Sequence, residues 1–361
     1  MAGNAKTSVE SRVIKAPGPS ITWAGESPRG YGYCLGTEEG NLWSADADFN
    51  LVGHSKIFVE SGSAINGVAF TTDLIAVTTR SEIVLKRGPG PEELFIEATG
   101  VYKAGAHGVI ATPRGVAASL GLEGLLFVER SAGGDPLMQR VKAGGAEIYF
   151  YKIVHLGTAR DGRDIYAGAG RDDGLLDIVV DPVGGQGRII PYTSAGSSLD
   201  VVDVCSLQSV LHEFASASLG IDNAIYLSRN FEGDRTPLTL RFDALKGTAY
   251  AIGSASGHLF LLTSEYMYAF PGLIGRYLRG DRLLGKIKVN GLHVEASDLS
   301  IAYGSDLLLI RADDVVKFEI EPLVKRRGDG SLTELESWET PEIVDAPWMS
   351  ERDDARELVH V

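Results

Sequence analysis

Histidine, aspartate, lysine and tyrosine are the side chains here that could bind a cation, move a proton or hold an anionic ligand. One set of polar residues recurs at a near-fixed interval. Thr22, Asn66, His107, Lys152, Asp203, Tyr250 and His293 stand at the centres of the short segments SITWA, AINGV, GAHGV, FYKIV, VVDVC, TAYAI and GLHVE. Their spacings are 44, 41, 45, 51, 47 and 43 residues. Imidazole and carboxylate together can hold a cation or act as base and acid. That chemistry requires these scattered residues to converge in space.

Contiguous motifs offer no reaction. Gly253–Gly257 reads GSASG, with Ala in the nucleophile place of a GxSxG elbow. No P-loop is present, and Gly168–Gly174 (GAGRDDG) lacks dinucleotide-binding spacing and a following helix. Asp46-Ala-Asp48-Phe-Asn50 opens like a calcium loop but has no Gly at loop position six, and Ile57 replaces the closing Glu. Arg327-Gly-Asp lies in a turn-like stretch. Cys34 and Cys205 form neither a zinc pattern nor a disulfide framework. The residues imply no cofactor, no metal and no catalytic set.

The elements that must position the recurring column are strands. The chain holds 44 Gly in 361 residues, well above the usual share of about 7%. Most of these glycines read as turn residues between runs of four to eight residues rich in Val, Ile, Leu, Tyr and Thr. Helical periodicity is scarce; Leu207–Ala217 (LQSVLHEFASA) fits a short helix or a strand equally. SPRGYGYCLGTEEGNLW at Ser27 and TPRGVAASLGLEGLLF at Thr112 share one plan: a PRG turn, a small-residue strand, Leu-Gly, an acidic turn and an apolar strand. Their PRG turns are 85 residues apart, about two units. Repeats of this length with three or four short strands predict propeller blades. The first blade parses as Ser20–Ala24, Tyr31–Gly36, Asn41–Ala45 and Leu51–Phe58. The predicted class is therefore all-β: a seven-bladed propeller of four-stranded antiparallel blades over residues 18–322. Residues 1–17 precede it, with Arg12–Ala16 (RVIKA) a candidate ring-closing strand, and residues 323–361 form an acidic tail. The seventh unit, however, already offers LHVEA, LSIAYG, DLLLIRA and DVVKFEI as four strands, so closure by the N-terminus stays open at this point.

With this period and strand order the chain resembles the WD-repeat type of seven-bladed β-propeller over about 300 residues. Gly53-His54 stands about a dozen residues before the next inner strand, where that family carries its Gly-His pair. No Trp-Asp dipeptide closes a third strand; NLWSADAD at Asn41 comes nearest. The family's His–Asp network is therefore not carried over. The resemblance implies a scaffold that presents its faces to protein partners.

Two further stretches bear on partners. Gly272–Asn290 carries Arg276, Arg279, Arg282, Lys286 and Lys288 against one acid, in a chain of net charge −14. It reads as a solvated outer strand or as a surface for an anionic partner: a nucleic-acid backbone, an acidic protein or the chain's own tail. From Ser331 onward there are nine acidic and two basic residues, with Trp338, Trp348 and Met349 as apolar anchors. That tail is either solvated or docks on its own propeller or a partner. The acidic balance opposes general nucleic-acid binding. No apolar run reaches membrane-span length, and the first 20 residues lack a signal-peptide core. The expectation is a cytoplasmic, non-catalytic adaptor within a larger assembly. The alternatives are a small-ligand or hydrolytic site at the channel mouth, and a nucleoprotein subunit docked through the basic strip.

Overall fold

The computed structural model describes residues 11–340, apart from 16–19, 27–31, 57–63, 72–73, 88–97, 103–104, 130–136, 142–147, 171–173, 181–186, 192, 195–196, 199, 208–213, 230–236, 243–244, 279–286, 295–299, 304–306, 312, 319, 321–323 and 325–334. The chain starts with β1 (Ser11–Lys15). Blade one is β2 (Ile21–Glu26), β3 (Tyr33–Thr37), β4 (Asn41–Ala45) and β5 (Leu51–Lys56). Blade two is β6 (Ile65–Phe70), β7 (Leu74–Thr79), β8 (Ile83–Arg87) and β9 (Ala98–Tyr102). Blade three is β10 (Gly108–Thr112), β11 (Gly115–Ser119), β12 (Leu125–Glu129) and β13 (Leu137–Val141). Blade four is β14 (Phe150–Thr158), β15 (Asp164–Gly170), β16 (Gly174–Val180) and β17 (Gly187–Pro191), followed by a small hairpin, β18 (Thr193–Ser194) and β19 (Ser197–Ser198). Blade five is β20 (Val201–Ser206), β21 (Ala215–Gly220), β22 (Ile225–Arg229) and β23 (Leu238–Leu240). Blade six is β24 (Ala249–Ala255), β25 (His258–Thr263), β26 (Tyr266–Phe270), then helix α1 (Leu273–Leu278) and β27 (Ile287–His293). Blade seven is β28 (Ser300–Tyr303), β29 (Leu307–Arg311) and β30 (Asp314–Phe318), and β31 (Leu335–Thr340) comes last.

Each blade is an antiparallel meander, and the ring closes through blade seven. There β1 pairs with β30, from Ser11 opposite Phe318 to Lys15 opposite Asp314. The innermost strands β2, β6, β10, β14, β20, β24 and β28 touch in succession, and β28 returns to β2. LHVEA, the candidate first strand of the seventh unit, opens with residues that belong to blade six: His293 ends β27 and pairs with Tyr266. That shift frees the outer place of blade seven for the N-terminus.

The core is divided among the seams. Seven separate apolar clusters occupy the seven blade-to-blade contacts. Ile14 of β1 joins Ile21, Leu35, Leu308, Ile310 and Val315 at the seam between blades seven and one. Second strands β3, β7, β11, β15 and β21 are buried along their whole length. Period-two alternation sends their side chains into two different seams. In β11, Val116 and Ala118 face blade two and Ala117 faces blade four. Crowding here explains glycines that are not turn residues. A Cβ on Gly36 would lie 2.6 Å from Cγ2 of Ile65, and one on Gly67 would lie 2.9 Å from the Val109 nitrogen.

Leu207–Ala217 forms no helix among its described residues: the Leu207 amide donates to the Ala215 carbonyl at 2.9 Å, and Ala215 opens β21. The α-helix with several consecutive described residues lies instead in the basic stretch. Leu273, Ile274 and Tyr277 of α1 pack into the seam of blades five and six. The Arg229 guanidinium donates to the carbonyls of Tyr277 (3.1 Å) and Leu278 (3.3 Å), which satisfies acceptors a helix end leaves open.

Candidate functional site

The inner strands all begin on one face, called the upper face. It also carries the turns between the second and third strands of each blade. Buried threonines shape three of these turns. Thr37 Oγ1 accepts from the Asn41 amide, Thr79 Oγ1 from those of Ser81 and Glu82, and Thr263 Oγ1 from those of Glu265 and Tyr266. Side-chain capping fixes the turns, so the residues at their tips are held in place.

Five inner strands bulge near their start, and the bulge decides which residue occupies the column. In the ladder to the second strand, the register skips Thr22, Asn66, Tyr151, Val202 and Tyr250. Thr22, Asn66 and Tyr250 therefore occupy equivalent places. In blades four and five the equivalent residues are Tyr151 and Val202, and Lys152 and Asp203 stand one residue further on. His107 immediately precedes β10. His293 lies on the outermost propeller strand of blade six, exposed, with its ring edge against Tyr266 at 5.2 Å. The proposed seven-residue ring of polar groups is thus not one ring.

Most of these polar residues tie blades together. Thr22 Oγ1 donates to the Ile65 carbonyl at 2.7 Å, from blade one to blade two. Asn66 Nδ2 donates to the Ala106 carbonyl at blade three, while its Oδ1 accepts from Thr78 Oγ1 at 2.7 Å. Ser119 Oγ donates to the Tyr151 carbonyl at 3.1 Å, and Ser254 Oγ to the Ser206 carbonyl at 2.5 Å. Asp203 is the most connected. Its Oδ1 accepts from Lys152 Nζ (2.5 Å) and the Val204 amide (2.8 Å); its Oδ2 accepts from the Ile252 amide (2.8 Å). One buried carboxylate therefore spans the inner strands of blades four, five and six. Beside it, burial first and the Asp203 charge second push the Cys205 thiol up to about 12, so it stays protonated and inert.

His107 has a different setting. Its Nε2 lies 2.6 Å from the Tyr149 hydroxyl, and Tyr149 and Tyr151 pack their rings against the imidazole with centroids at 5.1 and 5.4 Å. Burial, and then the charge of Arg80, lower the pKa of His107, which keeps the ring neutral at pH 7. The three rings of His107, Tyr149 and Tyr151 contact one another pairwise. Among the described residues, no three His, Cys, Asp or Glu side chains come together as a metal-binding set. Among the described residues, no helix is long and apolar enough to cross a membrane.

Apart from Tyr250, already singled out as a channel candidate, what sequence reasoning missed is apolar. Leu122, Val202, Ile221 and Tyr250 are exposed by 59%, 38%, 68% and 47%, and all four lie on the upper face. Leu122 and Ile221 sit at the turn tips of blades three and five, Val202 and Tyr250 at the inner-strand bulges of blades five and six. The other exposed large apolar residues among those described are Val13 and Val52, on outer strands. Glu38, Glu39, Asp200, Glu265 and Asp313 add exposed carboxylates to the same face. Leu122 and Ile221 each follow a glycine in a turn; an apolar residue at a turn tip was the available signal.

Of the basic strip, Arg276 lies on α1 and Lys288 on β27, while Arg279, Arg282 and Lys286 lie outside the described residues. Its expected single outer strand is a helix followed, after the undescribed segment, by a strand. Of the tail anchors, Trp338 lies on β31; Trp348 and Met349 are outside the described residues. Gly53 and His54, the pair matched to the WD-repeat pattern, lie within β5, where His54 stacks on Trp43 at 4.4 Å.

These features define a seven-bladed β-propeller of four-stranded antiparallel blades. Comparison with solved structures agrees. The chain is similar to the β-propeller domain of Myceliophteria thermophila Cps50 (Swd1), with a TM-score of 0.63 at 10% identity, over 86% of this chain and 99% of that one. At that identity the likeness establishes the fold alone. No family model and no curated protein sequence matches the chain.

Proposed function

We propose that this protein is a non-catalytic propeller adaptor that binds a protein partner through its upper face. The observation that carries the reading is the exposure of Leu122, Val202, Ile221 and Tyr250 on that face, at hydrogen-bonded turns and inner-strand bulges. Large exposed apolar groups presented by one face support a protein interface, and an aromatic among them suits an interface anchor. The exposed carboxylates of the same face favour a partner that brings basic residues. The residues first singled out at the channel contribute by holding the face flat: Thr22, Asn66, Lys152 and Asp203 lace the blades beneath it. A cytoplasmic setting belongs to the proposal, supported by Cys34 and Cys205 being buried on different blades and not joined in a disulfide.

The test is proximity labelling in the native host with the wild-type chain, a Leu122→Asp/Ile221→Asp/Tyr250→Ala variant and a Val52→Asp control. The expected result is one protein whose labelling is lost with the upper-face variant and kept with the control. Equal labelling in all three, with the variant's melting unchanged, overturns the reading.

A further inference from the structure

The sheet of blade six has five strands where the other six have four. The fifth is β31, from the acidic tail. It runs antiparallel to β27 in one unbroken register: Ile287–Thr340, Lys288–Glu339, Val289–Trp338, Asn290–Ser337, Gly291–Glu336 and Leu292–Leu335. By contrast, β27 meets its own blade over four pairs only, from Ala269–Asn290 to Tyr266–His293. Ile287 and Lys288 thus have ladder partners in the tail and none in β26.

Two independent features match across this edge. One is geometry: an unpaired outer strand presents a row of backbone donors and acceptors that an extended segment completes. The other is charge. The stretch that leads into β27 carries five basic residues against one acid between positions 272 and 290, and the tail from 331 carries nine acids against two bases. In the backbone register, Lys288 stands opposite Glu339, so the basic stretch and the acidic segment run alongside each other. Val289, buried in the seam core, stands opposite Trp338.

We propose that the outer edge of blade six is a strand-docking site for an extended, acidic segment with a central aromatic residue, and that Leu335–Thr340 is its occupant in cis. The site lies on the rim, apart from the upper face, so it adds to the adaptor reading. A partner that offers a strand of the same chemistry binds this edge by displacing the tail. The chain thereby carries its own competitor, which limits access to the edge until the tail is released.

The experiment uses the full chain with a protease site inserted between Gly330 and Ser331 and cut after purification, so that folding precedes release. A fluorescent peptide of residues 331–345 is the probe. The expected results are peptide binding to the cut, tail-depleted protein, and binding about tenfold weaker or worse to the uncut chain, the ratio a tethered competitor imposes. A Glu336→Lys/Glu339→Lys peptide binds about tenfold less, and 0.5 M salt narrows that difference, as for contacts set by charge. Amide exchange at Ile287 and Val289, whose N–H groups face the tail strand, speeds up on tail removal and slows again with peptide. Equal binding to cut and uncut protein overturns the proposal. So does an absence of binding to cut protein that still melts cooperatively. If cutting unfolds the protein, an uncut Glu336→Pro/Ser337→Pro variant takes its place. Peptide binding there supports the proposal, and unchanged exchange at Ile287 and Val289 refutes it.

Discussion

His107 shows how a single residue's setting sets its chemistry. Its imidazole lies between Tyr149, Tyr151 and the Gly121 turn, with the Tyr149 hydroxyl at 2.6 Å from Nε2. Burial disfavours its charged form, and the Arg80 cation adds to this, so its folded pKa lies below 6.5. A depressed histidine pKa means the unfolded chain takes up the proton first. Its contribution to stability is complete above about pH 6.5 and falls as the pH drops towards the folded pKa. Urea denaturation at pH 7.5 and 5.5 should show a loss for the wild type that His107→Gln reduces. An equal loss in both would assign the acid sensitivity to other groups. Position 107 was legible in the sequence as polar and recurrent. Its partners were not, because Tyr149 and Tyr151 come from another blade and Gly121 from a turn.

At the scale of elements, the bulge is the feature that changed the reading most. Aligning segments by their central residue put Lys152 and Asp203 in the same column as Thr22 and Asn66. The extra residue at Tyr151 and Val202 moves them one place along, and in a strand one place exchanges faces. Asp203 consequently serves as a tie between β14, β20 and β24. Asp203→Ala should cost about 3 kcal/mol, since it leaves the buried Ile252 amide without its acceptor and removes a charge-assisted bond. Lys152→Met should cost less than about 1 kcal/mol, because its side chain is 42% exposed. Chemical denaturation separates the two; equal costs would mean that the ion pair, and not the amide bond, carries the tie. Glycine gave a similar lesson. Its abundance read as turns, yet Gly36 and Gly67 are strand residues whose missing Cβ lets neighbouring blades approach.

For the whole molecule, closure is the decisive property. Seven blades bury seven seams only if the last meets the first, and β1 with Ile14 supplies that contact. Removing residues 1–17 should destabilise the ring by at least the cost of truncating one buried isoleucine, about 2–5 kcal/mol. A synthetic peptide of residues 8–18, added in excess, should restore part of the loss in a thermal melt. Unchanged stability after deletion would show that three strands suffice for blade seven.

Local sequence determined the period, the all-β class and the number of blades. Each rests on short-range information: strand lengths, turn residues and an interval of about 44 residues that a ring of identical units must repeat. It also marked the tail as acidic and aromatic. Only the tertiary structure decided where the ring closes, which residues share a column, and what the polar inner residues bond to. Those depend on bulges and on contacts between segments tens to hundreds of residues apart, such as Ile14 with Val315 and Asp203 with Ile252. The apolar upper face and the tail strand on blade six belong to the same group. A residue's exposure and a strand's free edge are properties of the assembled ring, and neither exists until the blades have packed.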